Sequence, residues 1–498
     1  MKGGTKDIWL IFLAIFSAGV VSMLMELSLL REFVYIFGST AVSNAIIISV
    51  FLIGLAFGAY LGTWQALNAK SESEAKQKFV LIQLLSALFI LLFFVSKKYF
   101  IYHSQEPNLV RFYFLASVFV PSFLSGVAYA VSVKILHWRG EKFITYIYAC
   151  STLGSVVGGV AHGIILVPLW GVKSAYICGV VFAGLSLYAI YPIMNWKRKV
   201  LIGSFLMAAI AAIQFDISKL LFPSDNLLFS KDSDFGVVEV WKLGEADAKY
   251  NHLLLGGKDV DYKLDETPIN LKVNNIHQSF NLPIDRQIHE QWAETSLNIV
   301  NRQANVLLFG YGSGVTAVAY LRSPMVEKVD IVENCMPVIE AASVFFKDEF
   351  GYAKKSSKAN FIIDDFRGHV RFTNEQYDII ALDHSIQDPY SIGYFTLEFF
   401  DQLKRITKPG GVILLLGQGL SWNTTRLSFR YVYKNVDPKI NSALRSGCLY
   451  LSEHELTGPV SRDYEIVRDR LTVEELVYSD QRVQRLGEYN ENAMKAIR

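Results

Sequence analysis

Asn305-Val-Leu-Leu-Phe-Gly-Tyr-Gly-Ser-Gly314 decides the fold of this chain. An unbroken apolar run of strand length runs straight into a glycine turn, Gly310-Tyr-Gly-Ser-Gly314, and helix-forming residues follow. A run without polar alternation reads as a strand buried on both faces, the signature of a sheet covered by helices on each side. Glycine at alternate turn positions lets the backbone approach a ligand closely. A phosphate-binding P-loop is excluded, because no Gly-Lys-Ser/Thr follows.

The order repeats downstream. Lys328–Val332 is a second strand ending in Glu333, Asn360–Ile363 a third ending in Asp364-Asp365, Tyr377–Leu382 a fourth ending in Asp383, and Gly411–Leu416 a fifth after Lys408-Pro-Gly-Gly411. Upstream, Ile288–Val300 has helical spacing. Strands alternating with helices predict a parallel, doubly wound α/β sheet, in which ligands bind at the carboxyl ends of the strands. Four strand ends converge there: the glycine turn, Glu333, Asp365 and Asp383.

Each can be given a task. Glu333 lies 23 residues beyond Gly310, where an acidic side chain can accept both hydroxyls of a ribose. The spacing fits a nucleoside ligand without separating NAD from S-adenosyl compounds. Asp365 could accept from an adenine amino group, with Asp364 as its competitor or as a helix cap. Asp383 sits where a reacting group would meet the far end of the ligand, and its carboxylate can hold an ammonium and take its proton. Asp388, before Pro389, is a second acidic candidate or simply a turn residue.

The rest of the chain is different in kind. Of its 498 residues 52% are hydrophobic and only 19% charged, where a quarter charged is usual for soluble chains. Residues 1–216 carry 16 Lys/Arg against 8 Asp/Glu, a net of +8, and the remainder carries 32 against 38, a net of −6. A single soluble globule, a disordered chain and a fibre are all excluded. The near-even balance argues against a nucleic-acid partner. The cysteines, Cys150, Cys178, Cys335 and Cys448, have neither disulfide-framework nor metal-ligand spacing.

Apolar runs at Ile8–Met25, Val42–Trp64, Phe79–Ser96, Phe112–Val133, Ile144–Trp170, Val172–Met194 and Val200–Gln214 predict seven membrane-spanning helices. The first is read as a retained helix rather than a cleaved signal, since no small-residue cleavage site ends it. Gly54, Gly58 and Gly62 share one helix face, as do Gly154 and Gly158, and predict close helix packing. Glu26, Arg31 and Glu32 end the first span, and Asn44 and His162 fall within spans as interhelical polar groups. The expected organisation is a membrane domain over 1–216, a linker over 217–230, a small β cap over 231–285 with strands at Val237–Trp241 and His252–Leu255, and the α/β domain over 286–498.

Together Val306–Val315, Val329–Glu333, Ile363–Arg367, Asp383–Pro389 and Lys408–Gly411 resemble the polyamine aminopropyltransferases, the spermidine synthase family, across roughly residues 231–440. The preceding half is similar to the multi-pass region of membrane-fused members. The resemblance implies a Rossmann-like, class I S-adenosylmethionine-binding fold. It also implies transfer of an aminopropyl group from decarboxylated S-adenosylmethionine to putrescine or a related amine, giving spermidine and methylthioadenosine. The nucleoside is then a co-substrate, no cofactor is tightly bound and no metal takes part. Asp383 would be the catalytic base and Glu333 the ribose ligand, with Gly310, Gly312, Ser313, Gly314, Asp364 and Asp365 around the donor. His289, in a segment similar to the family's Tyr-His-Glu, would lie with Asp383 and Asp388 near the amine. A homodimer through the soluble domain is implied, with the lipid bilayer as the other partner.

Departures from the family pattern are visible. Ser313 replaces an aspartate that helps hold the donor's ammonium, Ile288 replaces a tyrosine, and Gly236 stands where a glutamine is usual. The Asp383–Asp388 spacing is two residues longer, and Asp261–Asp285 looks like an insertion. An S-adenosylmethionine-dependent methyltransferase and a non-catalytic membrane transporter or sensor therefore remain as alternatives. Topology carries a conflict of its own. The loops after the second, fourth and sixth spans are the richer in Lys and Arg, which places them in the cytoplasm. With seven spans the soluble half would then lie outside, away from a cytosolic nucleoside.

Overall fold

The computed structural model describes residues 5–37, 41–102, 104, 106–138, 144–190, 196–233, 235–255, 266–383, 396–416, 428–435, 448–456 and 460–462. The chain divides into two units, Met1–Phe37 with Val42–Asp225 and Asp232–Asp234, and Gly38–Ala41 with Asn226–Lys231 and Phe235–Arg498.

The first unit is helical. Its elements are α1 (Thr5–Phe37), α2 (Ala41–Leu67), α3 (Glu72–Tyr102), α4 (Pro107–His137), α5 (Ile144–Val160) continued through a π-helical turn (Ala161–Leu166) into α6 (Val167–Trp170), α7 (Val172–Ile190), α8 (Trp196–Gln214) and the short α9 (Ser218–Leu221). Among the described residues six helices are long and apolar enough to cross a membrane, at Ile8–Phe33, Ala45–Leu67, Glu72–Ile101, Asn108–His137, Tyr146–Trp170 and Val172–Ile190. The expected seventh is a helix but falls short. Lys197, Arg198 and Lys199 occupy its first turn, and the apolar remainder is about 15 residues, or roughly 22 Å at 1.5 Å per residue against a hydrocarbon core of about 30 Å.

The glycine faces do what their spacing implies. A Cβ on Gly58 would lie 2.0 Å from the Phe123 carbonyl oxygen, and one on Gly126 would lie 2.3 Å from that of Leu55, so α2 and α4 meet backbone to backbone. Gly154 and Gly19 bring α5 and α1 together in the same way, 2.1 Å from the Phe16 oxygen and 2.3 Å from that of Ser151. Glu32 is buried and paired with Lys97 of α3, and it accepts from the Tyr176 hydroxyl of α7 at 3.3 Å. This is the internal pairing that makes a charge tolerable near hydrocarbon. His162 is buried in the π-helical turn, and the Asn44 side chain lies outside the described residues.

The second unit holds two sheets. The smaller, in the order β1-β2-β3-β4, comprises β1 (Leu227–Asp232), β2 (Val237–Lys242), β3 (Ile269–Val273) and β4 (Ile276–Phe280). Strand β1 thus begins inside the stretch expected to be linker, which also contains α9. The strand expected at His252–Leu255 is instead the end of α10 (Glu245–Leu254). Glu245 and Asp247 in its first turn and His252 in its last suit the helix dipole. The stretch read as an insertion contains the β3–β4 hairpin. Asn274 and Asn275 turn it with φ of 51° and 61°, the left-handed pair that favours a tight hairpin.

The larger sheet has the order β12-β10-β11-β9-β8-β5-β6-β7. Helix α11 (Pro283–Val300) leads into β5 (Ala304–Phe309), α12 (Val315–Arg322), β6 (Val326–Glu333), α13 (Met336–Phe345), α14 (Lys347–Lys355), β7 (Ala359–Ile363), α15 (Phe366–Phe372), β8 (Tyr377–Leu382), α16 (Leu397–Ile406) and β9 (Thr407–Leu416). These five strands are parallel, with Phe309 paired to Val332 on one side and to Leu382 on the other. Beyond them β10 (Tyr431–Asn435), β11 (Cys448–Ser452) and β12 (Val460–Arg462) add an antiparallel edge that the strand pattern did not announce. Alternate residues build two cores, Val306, Leu308, Ile331 and Ile379 on one face and Leu307, Phe309, Val332 and Ile380 on the other. That is why Val306–Phe309 and Ile379–Leu382 read as continuous apolar runs.

Gly58→Ala should destabilise the helical unit by about 1–3 kcal/mol, the usual cost of overpacking. Gly203→Ala, whose added Cβ meets nothing within 4 Å, should not. Thermal unfolding of the detergent-solubilised protein compares them, and equal melting temperatures would rule out the tight α2–α4 contact.

Candidate active site

The chain leaves β5 toward β6 on one side and returns to β8 on the other, so the carboxyl end of β5 is the switch point where such sheets bind ligands. Gly310, Gly312 and Gly314 have φ of 86°, 51° and 83°. A Cβ on Gly310 would lie 2.6 Å from the Asp383 carbonyl oxygen, and one on Gly314 would lie 2.5 Å from the Tyr311 hydroxyl. Both positions therefore need glycine for conformation and for space.

Glu333 closes one end of the turn. It is buried; its Oε2 accepts from the Tyr311 backbone N–H at 2.9 Å and its Oε1 from that of Cys335 at 2.8 Å. Burial pushes this carboxyl up, against backbone hydrogen bonds from Tyr311, Cys335 and Asn334 that favour the anion. Three backbone donors leave the carboxylate about one of its roughly four lone-pair sites, so it can still accept a sugar hydroxyl.

At the third strand end the two aspartates exchange expected places. Asp365, not Asp364, is the N-cap of α15, its Oδ2 accepting from the Gly368 N–H at 2.8 Å. Asp364 is exposed and accepts from the Asp365 N–H at 2.8 Å. A cap needs a side chain that reaches back to the third residue of its own helix, and only Asp365 directly precedes the first helical residue.

Asp383 closes the other end of the turn, and there a network not expected as a whole converges. The Thr316 hydroxyl, on the first turn of α12, donates to Asp383 Oδ2 at 2.5 Å. His289 Nε2 lies 3.5 Å from Asp383 Oδ1. On the far side of the ring, His289 Nδ1 is 2.8 Å from the Asp285 backbone oxygen and 4.0 Å from Asp285 Oδ1. Asp285 Oδ2 in turn accepts from the Ser279 hydroxyl at 3.0 Å and the Phe280 N–H at 2.9 Å. The same Ser279 hydroxyl lies 2.8 Å from Ser313 Oγ in the glycine turn. Ser313, Ser279, Asp285, His289, Asp383 and Thr316 thus form one chain around the switch point. Asp285 and His289 face the site together because they are four apart on α11, whose buried side also carries Ile284, Ile288 and Trp292.

Burial alone would lower the pKa of His289, but the carboxylates of Asp383 and then Asp285 outweigh it and raise it to about 10. Nearby His277, stacked on Phe280 at 3.9 Å, is held down to about 4, chiefly by burial. Ile288 packs into the core where a tyrosine was the family pattern. Gly236 is closed off by the Asn274 side chain, 2.1 Å from where its Cβ would stand. Asp388 lies outside the described residues.

Residues 286–443 match the family model described as the spermine/spermidine synthase domain. The C-terminal part of the chain is similar to that domain. A polyamine aminopropyltransferase of Prochlorococcus marinus is 30% identical over 130 residues, covering 26% of this chain and 46% of that protein. One of Sulfolobus acidocaldarius is 29% identical over 194 residues, covering 37% and 64%. The chain spans about half the length of the curated relatives it matches. A spermidine synthase solved with the transition-state analogue AdoDATO aligns at 18% identity with a TM-score of 0.37, covering 55% of this chain and 88% of that one. Within this domain the sequence pointed to Glu333, Asp383 and His289. It gave no role to Asp285, Ser279 or Thr316, of which only Asp285 carried a readable signal, its place one helical turn before His289.

The His289 environment sets a pH dependence. Its folded-state pKa lies above the ordinary 6.5. The stability it adds is fully present below about 6.5 and is lost as pH rises toward about 10. Melting temperature should therefore fall across that window, and His289→Gln should flatten the fall. Parallel pH profiles of the two proteins would refute the His289–Asp383 pair.

Proposed function

We propose that the domain is an aminopropyltransferase, moving the aminopropyl group of decarboxylated S-adenosylmethionine to a diamine of the putrescine type. The observation that carries this reading is a pair of carboxylates, Glu333 and Asp383, at opposite ends of one glycine turn. Glu333 would hold the ribose, the exposed Asp364 the adenine amino group, since Asp365 is engaged as the cap of α15, and the turn Gly310–Gly314, with Ser313, the sulfonium-linked aminopropyl chain. The methylene next to sulfur would then point toward Asp383. A sulfonium is already a good leaving group, so catalysis lies in aligning the amine and freeing its lone pair. The amine nitrogen attacks the methylene carbon, the carbon–sulfur bond breaks with its electron pair moving to sulfur, and Asp383 accepts the amine proton.

Purified full-length protein incubated with decarboxylated S-adenosylmethionine and 1,4-diaminobutane should yield spermidine and methylthioadenosine, read by mass. S-adenosylhomocysteine formed from S-adenosylmethionine instead would indicate methyl transfer. Asp383→Asn should lower turnover by about 10²–10⁴, the usual cost of losing a general base, while methylthioadenosine still binds. Full turnover in that variant would remove Asp383 from the mechanism.

The membrane half is proposed to set this domain in the cytoplasm, where its nucleoside is made. With six spans rather than seven, the soluble half follows an even-numbered span, on the side of the lysine- and arginine-rich loops, including Lys197, Arg198 and Lys199. A reporter fused after Arg498 should be active only in the cytoplasmic orientation, and periplasmic activity would overturn the assignment.

A further inference from the structure

His289 is more than a neighbour of the proposed base. Its Nδ1 faces a backbone carbonyl at 2.8 Å, and a carbonyl only accepts, so Nδ1 carries a hydrogen. In a neutral ring Nε2 would then present a bare lone pair to Asp383 Oδ1 at 3.5 Å, acceptor against acceptor. A proton on Nε2 turns that repulsion into an ion pair. The titratable groups facing the ring are the carboxylate of Asp285 on its own helix, the carboxylate of Asp383 after β8, and the imidazole of His277 on β4. The first two favour the imidazolium, and the raised pKa of His289 agrees with the geometry. The third is held neutral near pH 7 by its lowered pKa. The His289 imidazolium therefore stands beside Asp383, where the proposed function puts the ammonium of the acceptor.

We propose that His289 is the proton-exchanging residue of the site: a cationic amine binds at Asp383 by displacing the Nε2 proton of His289, and the freed imidazole is the final acceptor of the amine's own proton. This rests on the aminopropyltransferase reading and deepens it. Before binding, the ammonium and the imidazolium each carry a proton that the neutral base lacks. After binding, one of the two has gone to solvent and the other is shared across amine nitrogen, Asp383 and His289 Nε2. When it rests on Nε2 the amine nitrogen has a free lone pair for attack on the methylene carbon, and sulfur leaves with the bonding electrons. Asp285 acts as a positioning residue, fixing Nδ1–H through its carbonyl so that Nε2 is the nitrogen that exchanges.

Isothermal titration of 1,4-diaminobutane into the full-length, detergent-solubilised protein, saturated with methylthioadenosine at pH 8, tests this in phosphate and in Tris buffer. The change of binding enthalpy with buffer ionisation enthalpy counts protons released. The expected count is about one per amine for the wild type, since a group with a pKa near 10 is almost fully protonated at pH 8, and about zero for His289→Gln. Diamine binding to the wild type with the same enthalpy in both buffers would overturn the proposal and leave the proposed function standing. Release of about one proton in His289→Gln would also overturn it, by assigning the proton elsewhere. Absence of any diamine binding would remove both. If His289→Gln fails to bind methylthioadenosine and so has lost its fold, the wild-type count alone still decides.

Discussion

The close approach of Gly310 to Asp383 is the constraint on which the soluble half depends. Strand β5 is hydrogen-bonded into the sheet on both sides up to its last residue: the Gly310 N–H donates to the Val332 oxygen at 2.9 Å, and the Asp383 N–H donates to the Phe309 oxygen at 3.1 Å. The chain must leave this crowded point toward α12 without a side chain in the way, and the left-handed φ of Gly310 makes that possible. Because the next backbone is the Asp383 carbonyl itself, the turn and that carboxylate cannot move independently. The same bend aims the Tyr311 N–H at Glu333. One backbone geometry thus fixes both carboxylates, and the apolar strands behind them supply the rigidity.

The polar chain from Ser313 to Thr316 sits on top of that apolar platform, and there the sequence and the fold pull in different directions. Burying two carboxylates and an imidazole is costly unless each is paired. Here each is: Asp285 by a hydroxyl and a backbone N–H, Asp383 by a hydroxyl and the ring, His289 by a carbonyl and a carboxylate. Pairing so complete holds the ring and carboxylates in one geometry before any ligand arrives, which lowers the ordering cost of binding. It also links the donor-side turn, through Ser313 and Ser279, to the acceptor-side acid. The serine that departs from the family pattern is therefore connected to a carboxylate, Asp285, through a single intervening hydroxyl.

What could be read in advance follows from the range of the interactions. The parallel strands were legible because burial on both faces leaves apolar stretches such as Ile379–Leu382, part of the run Tyr377–Leu382 whose limits coincide with the observed strand. Glu333 and Asp383 were legible because a parallel sheet sends its strand ends to one edge, so sequence position alone places them. The antiparallel edge at Tyr431–Asn435 and Cys448–Ser452 was not, since its strands are short and their partners are distant in sequence. Ser279 and Thr316 were hidden for the same reason. One lies on β4, 34 residues before Ser313, and the other 67 residues before Asp383, and only the closed sheet brings either pair within a hydrogen bond. The cap of α15 shows the opposite error. The two adjacent aspartates compete for one local role, and the start of the helix, a single residue in register, decides between them.

In the membrane half the decisive quantity is length rather than composition. Helix α8 is apolar over most of its course and helical throughout, so hydropathy alone counts it as a span. Three basic residues at its start change its meaning, because a charge at that place either shortens the apolar stretch below the hydrocarbon thickness or must be carried into it. In the proposed six-span topology the basic loops and the soluble domain would fall on one side, and the conflict between charge and chemistry that seven spans create would not arise. The three residues that disqualify the helix as a span, Lys197, Arg198 and Lys199, belong to the same basic loop that the charge rule assigns to the cytoplasm. Their effect on span count and their effect on orientation have one physical origin, the cost of moving a fixed positive charge across the bilayer.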